Sequence, residues 1–393
     1  MNARRLGRLL GDERTTPHAG GVLVIDDSGD RKDGGATANV GRQWLGRYGK
    51  TDNAVVTVTT LWADENLYHP LHAVPYTPAH HFAKGRTGPG FRTKWRIAAQ
   101  LARQACAAGF PFRAAVADGA YRDVDDFRCE LHAADIPFVM AVRRRRGTWA
   151  YGNQAHTPID AARELAWHGP DRPGEWTPVT RTFRDGHTAT RWAADATLGF
   201  WGPDALNRLV VATTDPATLP DKSTWYLVTD LPRLGSTRAD QSPYPPADLE
   251  EVVRIYGIRN WIEQSYKQVK DELGWADFQV RTDRAIRRHQ TLVNCAFSFC
   301  WETGLPPAAA NPPGTERGDL NTPTGPLAPD SSHSPQLADP RHHAATLVES
   351  LVQHAPTQTT TRPDQRRQPR PTAQPLPGPA LTNHRQQRFA PPS

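Results

Sequence analysis

Two aspartates stand where predicted strands end. Residues 22–25 read Val-Leu-Val-Ile, an apolar run closed by Asp26-Asp27-Ser28-Gly29, and residues 113–117 form a second run that stops at Asp118-Gly119. In an open α/β sheet the carboxyl ends of the strands make the edge at which ligands bind, so Asp27 and Asp118 are candidates for one site. Aspartate next to glycine is also ordinary turn chemistry, and either residue alone says little. A third acid, Glu263, sits in a predicted helix with Tyr256, Arg259, Lys267 and Lys270. At about 100° per residue these five positions fall within about 80° of one another. One stripe therefore carries a phenol, three cations and a single acid, although a charged stripe is also what a solvated helix face looks like.

The pattern Tyr256-x2-Arg259-x3-Glu263-x6-Lys270 resembles the signature of DDE transposases of bacterial insertion sequences. Val24-Ile25-Asp26-Asp27-Ser28-Gly29 resembles their first motif, in which the catalytic aspartate precedes Ser or Thr, and Val116-Ala117-Asp118-Gly119-Ala120-Tyr121 resembles the second. Trp225-Tyr226-Leu227-Val228-Thr229-Asp230 is similar to the strand that closes their β-insertion, and the likeness extends over about residues 20–302. The resemblance implies an α/β, ribonuclease H-like mixed sheet with flanking helices, interrupted by a β-rich insertion before the Glu-bearing helix.

It also implies a chemistry. Asp27, Asp118 and Glu263 would hold two Mg²⁺ ions, with Mn²⁺ able to substitute, because hard cations take oxygen ligands and a metal pair can stabilise both the attacking and the leaving oxygen in phosphoryl transfer. Asp27 would touch both ions. Arg259, Lys267 and Lys270 would hold phosphates, and Tyr256 would donate a hydrogen bond to one. Trp225 would stack on a flipped base, or else form the edge of the insertion's core. Asp26 should point to the opposite side of its strand from Asp27, and the motif selects Asp27. The implied partner is double-stranded DNA, both element ends and target, bound by a homodimer. The implied activity is cut-and-paste transposition. An endonuclease that does not integrate, or an inactive DNA-binding remnant, would carry the same residues.

The elements that must position these side chains read as follows. Strands at about residues 22–25, 53–62 and 68–76 form a meander, a helix spans 93–108 with Gly109 beyond its end, and a strand at 113–117 follows. A helix at 123–134 and a strand at 137–142 complete a first part of the core, residues 21–142. Residues 143–248 read as the β-rich insertion, with strands at 209–213 and 225–229; Arg143 to Arg146 open it as a solvated turn or a DNA-backbone contact. Residues 249–303 return to the core, with one helix at 249–273 and another at 284–301. His80 and His81 have no partner ligands nearby in sequence and remain unassigned.

The 393 residues suffice for one large domain or two ordinary ones, and the net charge of +6 favours a polyanionic partner only mildly. Four cysteines without metal-ligand spacing and the lack of a secretory signal fit a reducing, cytoplasmic setting, with nucleoid association when bound to DNA. No membrane span is expected. Residues 304–393 are rich in Pro, Gln, Thr and Arg and read as a disordered tail, with one short helix near 344–353. Only residues 1–20 precede the first catalytic strand, whereas relatives with this signature carry a substantial helical region there. The expectation is a truncated or degenerate copy with weak discrimination among DNA sequences, or one in which end recognition has moved to the insertion and the tail.

Overall fold

The computed structural model describes residues 1–304 apart from 118–120, 122–123 and 183–185, and the side chains of 302–304 are likewise undescribed. The expected tail and its short helix lie outside the described residues, as does Asp118.

The chain begins with helix α1 (Asn2–Gly11) and then lays down β1 (Val22–Arg31), β2 (Val40–Leu45), β3 (Lys50–Ala63) and β4 (Tyr68–Pro75). α2 (Lys94–Ala107), β5 (Ala114–Ala117), α3 (Asp125–His132) and β6 (Phe138–Ala141) follow. Next come α4 (Pro158–Glu164), β7 (Thr177–Thr182), β8 (Thr188–Ala196), β9 (Arg208–Thr213) and β10 (Trp225–Thr229). Helices α5 (Leu249–Ile258), α6 (Trp261–Asp271) and α7 (Asp283–Gly304) close the described chain. All the strands join one sheet in the order β2-β3-β1-β5-β6-β10-β9-β8-β7, with β4 sharing the outer edge of β3 with β2. β1, β5 and β6 are mutually parallel and the remaining pairings are antiparallel. This is the ribonuclease H-like mixed α/β arrangement that the motifs implied.

Alternation along β1 sorts the two cores. Leu23 and Ile25 pack with α2 through Ile97, Ala98, Leu101 and Ala105, whereas Val22 and Val24 pack with Ile255, Ile258 and Ile262 of α5 and α6. Alanines at 98, 99, 102 and 105 let α2 lie close to the sheet, and the Thr93 side chain caps its first turn by accepting from the Arg96 amide. The β-rich insertion lies between β6 and α5 as expected, and β10 and β9 extend the same sheet, with Leu227 and Val210 in one core and Val228 and Val211 in the other.

Three local expectations are corrected. β1 does not end at the acidic pair but runs on to Arg31, so Asp26 and Asp27 lie mid-strand, one and two steps past Ile25↔Ala117, the last register pair with β5. The stretch between β1 and β3, to which no element was assigned, holds β2. The single helix expected over 249–273 is two: α5 stops at Ile258, and α6 starts at Trp261. The join is a tight one: the Arg259 amide donates to the Tyr256 carbonyl at 3.2 Å and the Ile262 amide to the Arg259 carbonyl at 3.1 Å, three-residue steps in place of the four-residue helical ladder. Ile255 and Ile258 of α5 and Ile262, Ser265 and Val269 of α6 are all buried and keep one helical face across it.

α1 is part of this fold. The Arg5 guanidinium is buried and donates to the carbonyls of Pro70 (2.6 Å) and Leu71 (2.7 Å) and to Ser298 Oγ (3.0 Å), tying α1 to β4 and α7. Arg5→Met is expected to destabilise the protein by about 3 kcal/mol, because two buried carbonyls lose charged donors; a urea midpoint equal to that of the parent would contradict this.

Two histidines, His69 buried and His72 half-buried, lie close enough to Arg5 to feel its charge. His69 stacks on Trp62 at 5.9 Å and approaches the Thr15 carbonyl at 3.2 Å, and His72 meets Thr60 Oγ1 at 3.1 Å. Burial, with Arg5 adding repulsion, pushes each down to about 4. Both are depressed bases, so their stabilising contribution is complete above the ordinary histidine pKa and is lost as pH falls from about 6.5 towards 4, on the order of 3 kcal/mol each. Urea midpoints should therefore drop between pH 7.5 and 5, and the drop should shrink in His69→Gln/His72→Gln.

Candidate active site

A cleft of about 790 Å³ opens where α6 crosses β1. It is lined by Asp26, Asp27, Ser28 and Gly29 of β1, by Lys94 at the start of α2, and by Glu263, Tyr266, Lys267, Lys270 and Asp271 of α6, with Trp44 to Arg47 forming its outer wall. Strand alternation puts Asp26 on the α6 side and Asp27 on the α2 side. The Lys94 ammonium accordingly donates to Asp27 Oδ2 at 2.6 Å. Asp26 Oδ1 accepts from the Asp27 amide at 2.8 Å. Burial is the main cause that holds the Asp26 carboxyl up at about 8; repulsion from Asp27 and then Glu263 adds to it, against the pull of the Asp27 amide and of Arg259.

α6 is fastened beside these acids. Lys270 Nζ lies 2.9 Å from Asp30 Oδ1 and donates to the Gly29 carbonyl at 3.0 Å, while Trp275 Nε1 donates to Asp30 Oδ2 at 3.1 Å. Tyr266 is hydrogen-bonded through its hydroxyl to Thr59 Oγ1 at 2.5 Å. Glu263 itself is exposed at the cleft.

The five-residue stripe is thus divided by the helix break. Glu263, Lys267 and Lys270 line the cleft, and Arg259 sits at the break, close enough to Asp26 to act on its charge. Tyr256 is buried instead, with its ring edge-on to Trp225 at 5.0 Å. Trp225 is half-buried, and the Arg191 guanidinium lies 3.8 Å from its ring centre. Lys94, Tyr266 and Asp30 were missed in the sequence reading. Lys94 had a usable signal, as the residue after a threonine N-cap on the helix facing the acidic pair.

β5 ends at Ala117, opposite Ile25, and the next residue, Asp118, lies outside the described residues. Among the described residues no three His, Cys, Asp or Glu side chains form a ready-made metal site. The donor set nonetheless fits a hard cation: carboxylates of β1 and α6 line one cleft.

A ribonuclease H-like sheet with an acidic cleft between its first strand and a late helix defines a class of nucleases acting on phosphodiesters, and comparison places the chain within it. Residues 3–197 match the family described as DDE superfamily endonuclease, and the chain belongs to that superfamily. The match takes in α1, Asp27 and Asp118 and ends before Glu263. The probable transposase for insertion sequence element IS701 of Microchaete diplosiphon is 31% identical over 260 residues, which is 66% of this chain and 60% of that protein. The chain therefore spans less than two thirds of that relative's length. No described helix is long and apolar enough to cross a membrane.

Proposed function

We propose that this chain is a transposase that cleaves DNA at the ends of an insertion sequence and transfers the cut strand to a target. The observation that carries the reading is the shared cleft of β1 and α6, where the acidic pair and Glu263 stand beside Lys267 and Lys270. Asp27, Asp118 and Glu263 would hold two Mg²⁺ ions, and Mn²⁺ would serve in their place. The ions, when bound, supply charge stabilisation at the attacking and leaving oxygens. In the cleavage step a water oxygen bonds to phosphorus as the bond to the 3′ oxygen breaks, leaving a 3′-hydroxyl and a 5′-phosphate. That hydroxyl would then attack a target phosphodiester, its oxygen bonding to phosphorus as the target's own bond from phosphorus to the 3′ oxygen breaks and the released 3′ oxygen takes up a proton.

The protein's own groups would bind and orient. Lys94 holds the Asp27 carboxylate in the cleft, and the Asp30–Lys270 pair holds α6 so that Glu263 faces β1. Lys267 and Arg259 would contact phosphates as point charges that carry little sequence information. Trp225 would stack on a flipped base in the position that the Arg191 guanidinium now takes, with Tyr256 bracing its edge. The working form in the DNA complex would be a homodimer.

The test is incubation of the full chain with a supercoiled plasmid carrying the element ends. Mg²⁺-dependent nicking followed by joining to a second plasmid is expected. Nicking without joining would reduce the function to that of an endonuclease, and binding without nicking to that of a DNA-binding remnant.

A further inference from the structure

Away from the catalytic cleft, between β6 and α4, the chain runs through Arg143-Arg144-Arg145-Arg146-Gly147-Thr148-Trp149. Arg144 pairs with Asp221, and Arg146 with Asp125 at 2.7 Å, so these two anchor the turn, whereas Arg143 and Arg145 are exposed. The turn lines a second cleft of about 760 Å³, which Tyr226 also lines. The Tyr226 hydroxyl is buried without a hydrogen-bond partner among the described residues, a donor suited to an anion held by the guanidiniums.

Beside this turn stand three large exposed aromatic side chains: Trp149 (58% exposed), Tyr151 (64%) and Phe200 (73%). Trp149 and Phe200 are stacked, 5.1 Å between ring centres and 8° between planes, and Tyr151 meets Trp149 edge-on at 5.1 Å. The two loops are held together. Gly199 has φ +58°, and a Cβ there would lie 2.2 Å from the Trp149 carbonyl oxygen, so only glycine allows this approach. The Arg146 guanidinium, 5.0 Å from the Trp201 ring centre, ties the arginine turn to the Phe200 loop.

Three clustered aromatics left in water mark a surface that something covers. Guanidiniums alongside select a polyanion, and stacked rings with an open outer face select flat π-systems. A duplex hides its base faces, so the partner matching both features is a strand with unpaired nucleotides. We propose that this surface holds a single-stranded segment of DNA, with phosphates on the Arg143–Arg146 turn and bases continuing the Trp149–Phe200 stack. The inference rests on the DNA reading above and adds a binding surface distinct from the catalytic cleft.

The test compares binding of the full chain, in EDTA, to a blunt duplex and to the same duplex with an unpaired overhang. Trp149→Ala and Phe200→Ala should each weaken overhang binding by about tenfold or more, within the range for one stacked base, and leave blunt-duplex affinity within about twofold. Phe200→Trp should retain overhang binding. Arg143→Ala/Arg145→Ala should weaken both probes and flatten the salt dependence. Equal losses on both probes from the aromatic variants, or no loss, would overturn the proposal while leaving the nuclease reading intact. Wild-type self-association abolished by Phe200→Ala would overturn it in favour of a protein interface. A wild type that neither nicks plasmid nor binds either probe would overturn the nuclease reading and this proposal together.

Discussion

Glu263→Gln is expected to lower Mg²⁺-dependent nicking by at least about a thousandfold, a rise of about 4 kcal/mol in the barrier. The substitution keeps the side chain's size and removes the charge of a proposed metal ligand. Glu263 is exposed on α6 and takes no part in the core, so the unfolding free energy from urea titration should stay within about 0.5 kcal/mol of wild type. Asp27→Asn should be equally inactive. Asp26→Asn should keep most of the activity, since the motif selects Asp27 although Asp26 lies on Glu263's side of the strand. An inactive Asp26→Asn beside an active Asp27→Asn would transfer the ligand role to Asp26.

Asp30→Ala is expected to cost about 3–5 kcal/mol of stability, the largest single-residue loss anticipated in this fold. Asp30 and Lys270 are both buried, with side chains 1% and 9% exposed, and their pair is the principal ionic tie between β1 and α6 among the described residues. Removing the carboxylate strands a buried ammonium and frees the Trp275 N–H. Against a total stability of about 5–15 kcal/mol, that loss puts the protein near unfolding at 37 °C. Asp30→Leu/Lys270→Met removes both charges and should recover most of the midpoint. The double variant also separates two roles of Lys270. If Lys270 leaves Asp30 to hold a phosphate when DNA binds, the folded double variant binds DNA more weakly; if it only docks α6, binding is unchanged.

Much of this arrangement could be read from residue order. The apolar runs of β1, β3, β5 and β6 and the alanine-rich face of α2 announced themselves, because elements buried on both sides or along one stripe leave a periodic trace. β2 left none. It lies on the rim of the sheet with Arg42, Gln43 and an exposed Trp44, so no apolar alternation marks it. β7 is threonine-rich, β8 mixes alanine with polar residues, both lie half in water, and they were hidden for the same reason. The helix break at Arg259 and Asn260 was invisible because Ile255, Ile258, Ile262, Ser265 and Val269 keep one helical period across it. That break also limited the site reading: the stripe placed Tyr256 with Glu263, whereas the structure buries Tyr256 against Trp225 and leaves Glu263 at the cleft. Lys94 and Asp30 belong to the site through contacts 67 and 240 residues apart in sequence, which no local pattern encodes.

The most direct measurement is the position of Mn²⁺ in crystals of the full chain, located by anomalous scattering. The account predicts a peak in the cleft between β1 and α6, bound by Asp27 and Glu263 together with Asp118, and lost in Glu263→Gln. Manganese held without Glu263, or no manganese in this cleft while the same preparation nicks DNA, would contradict it.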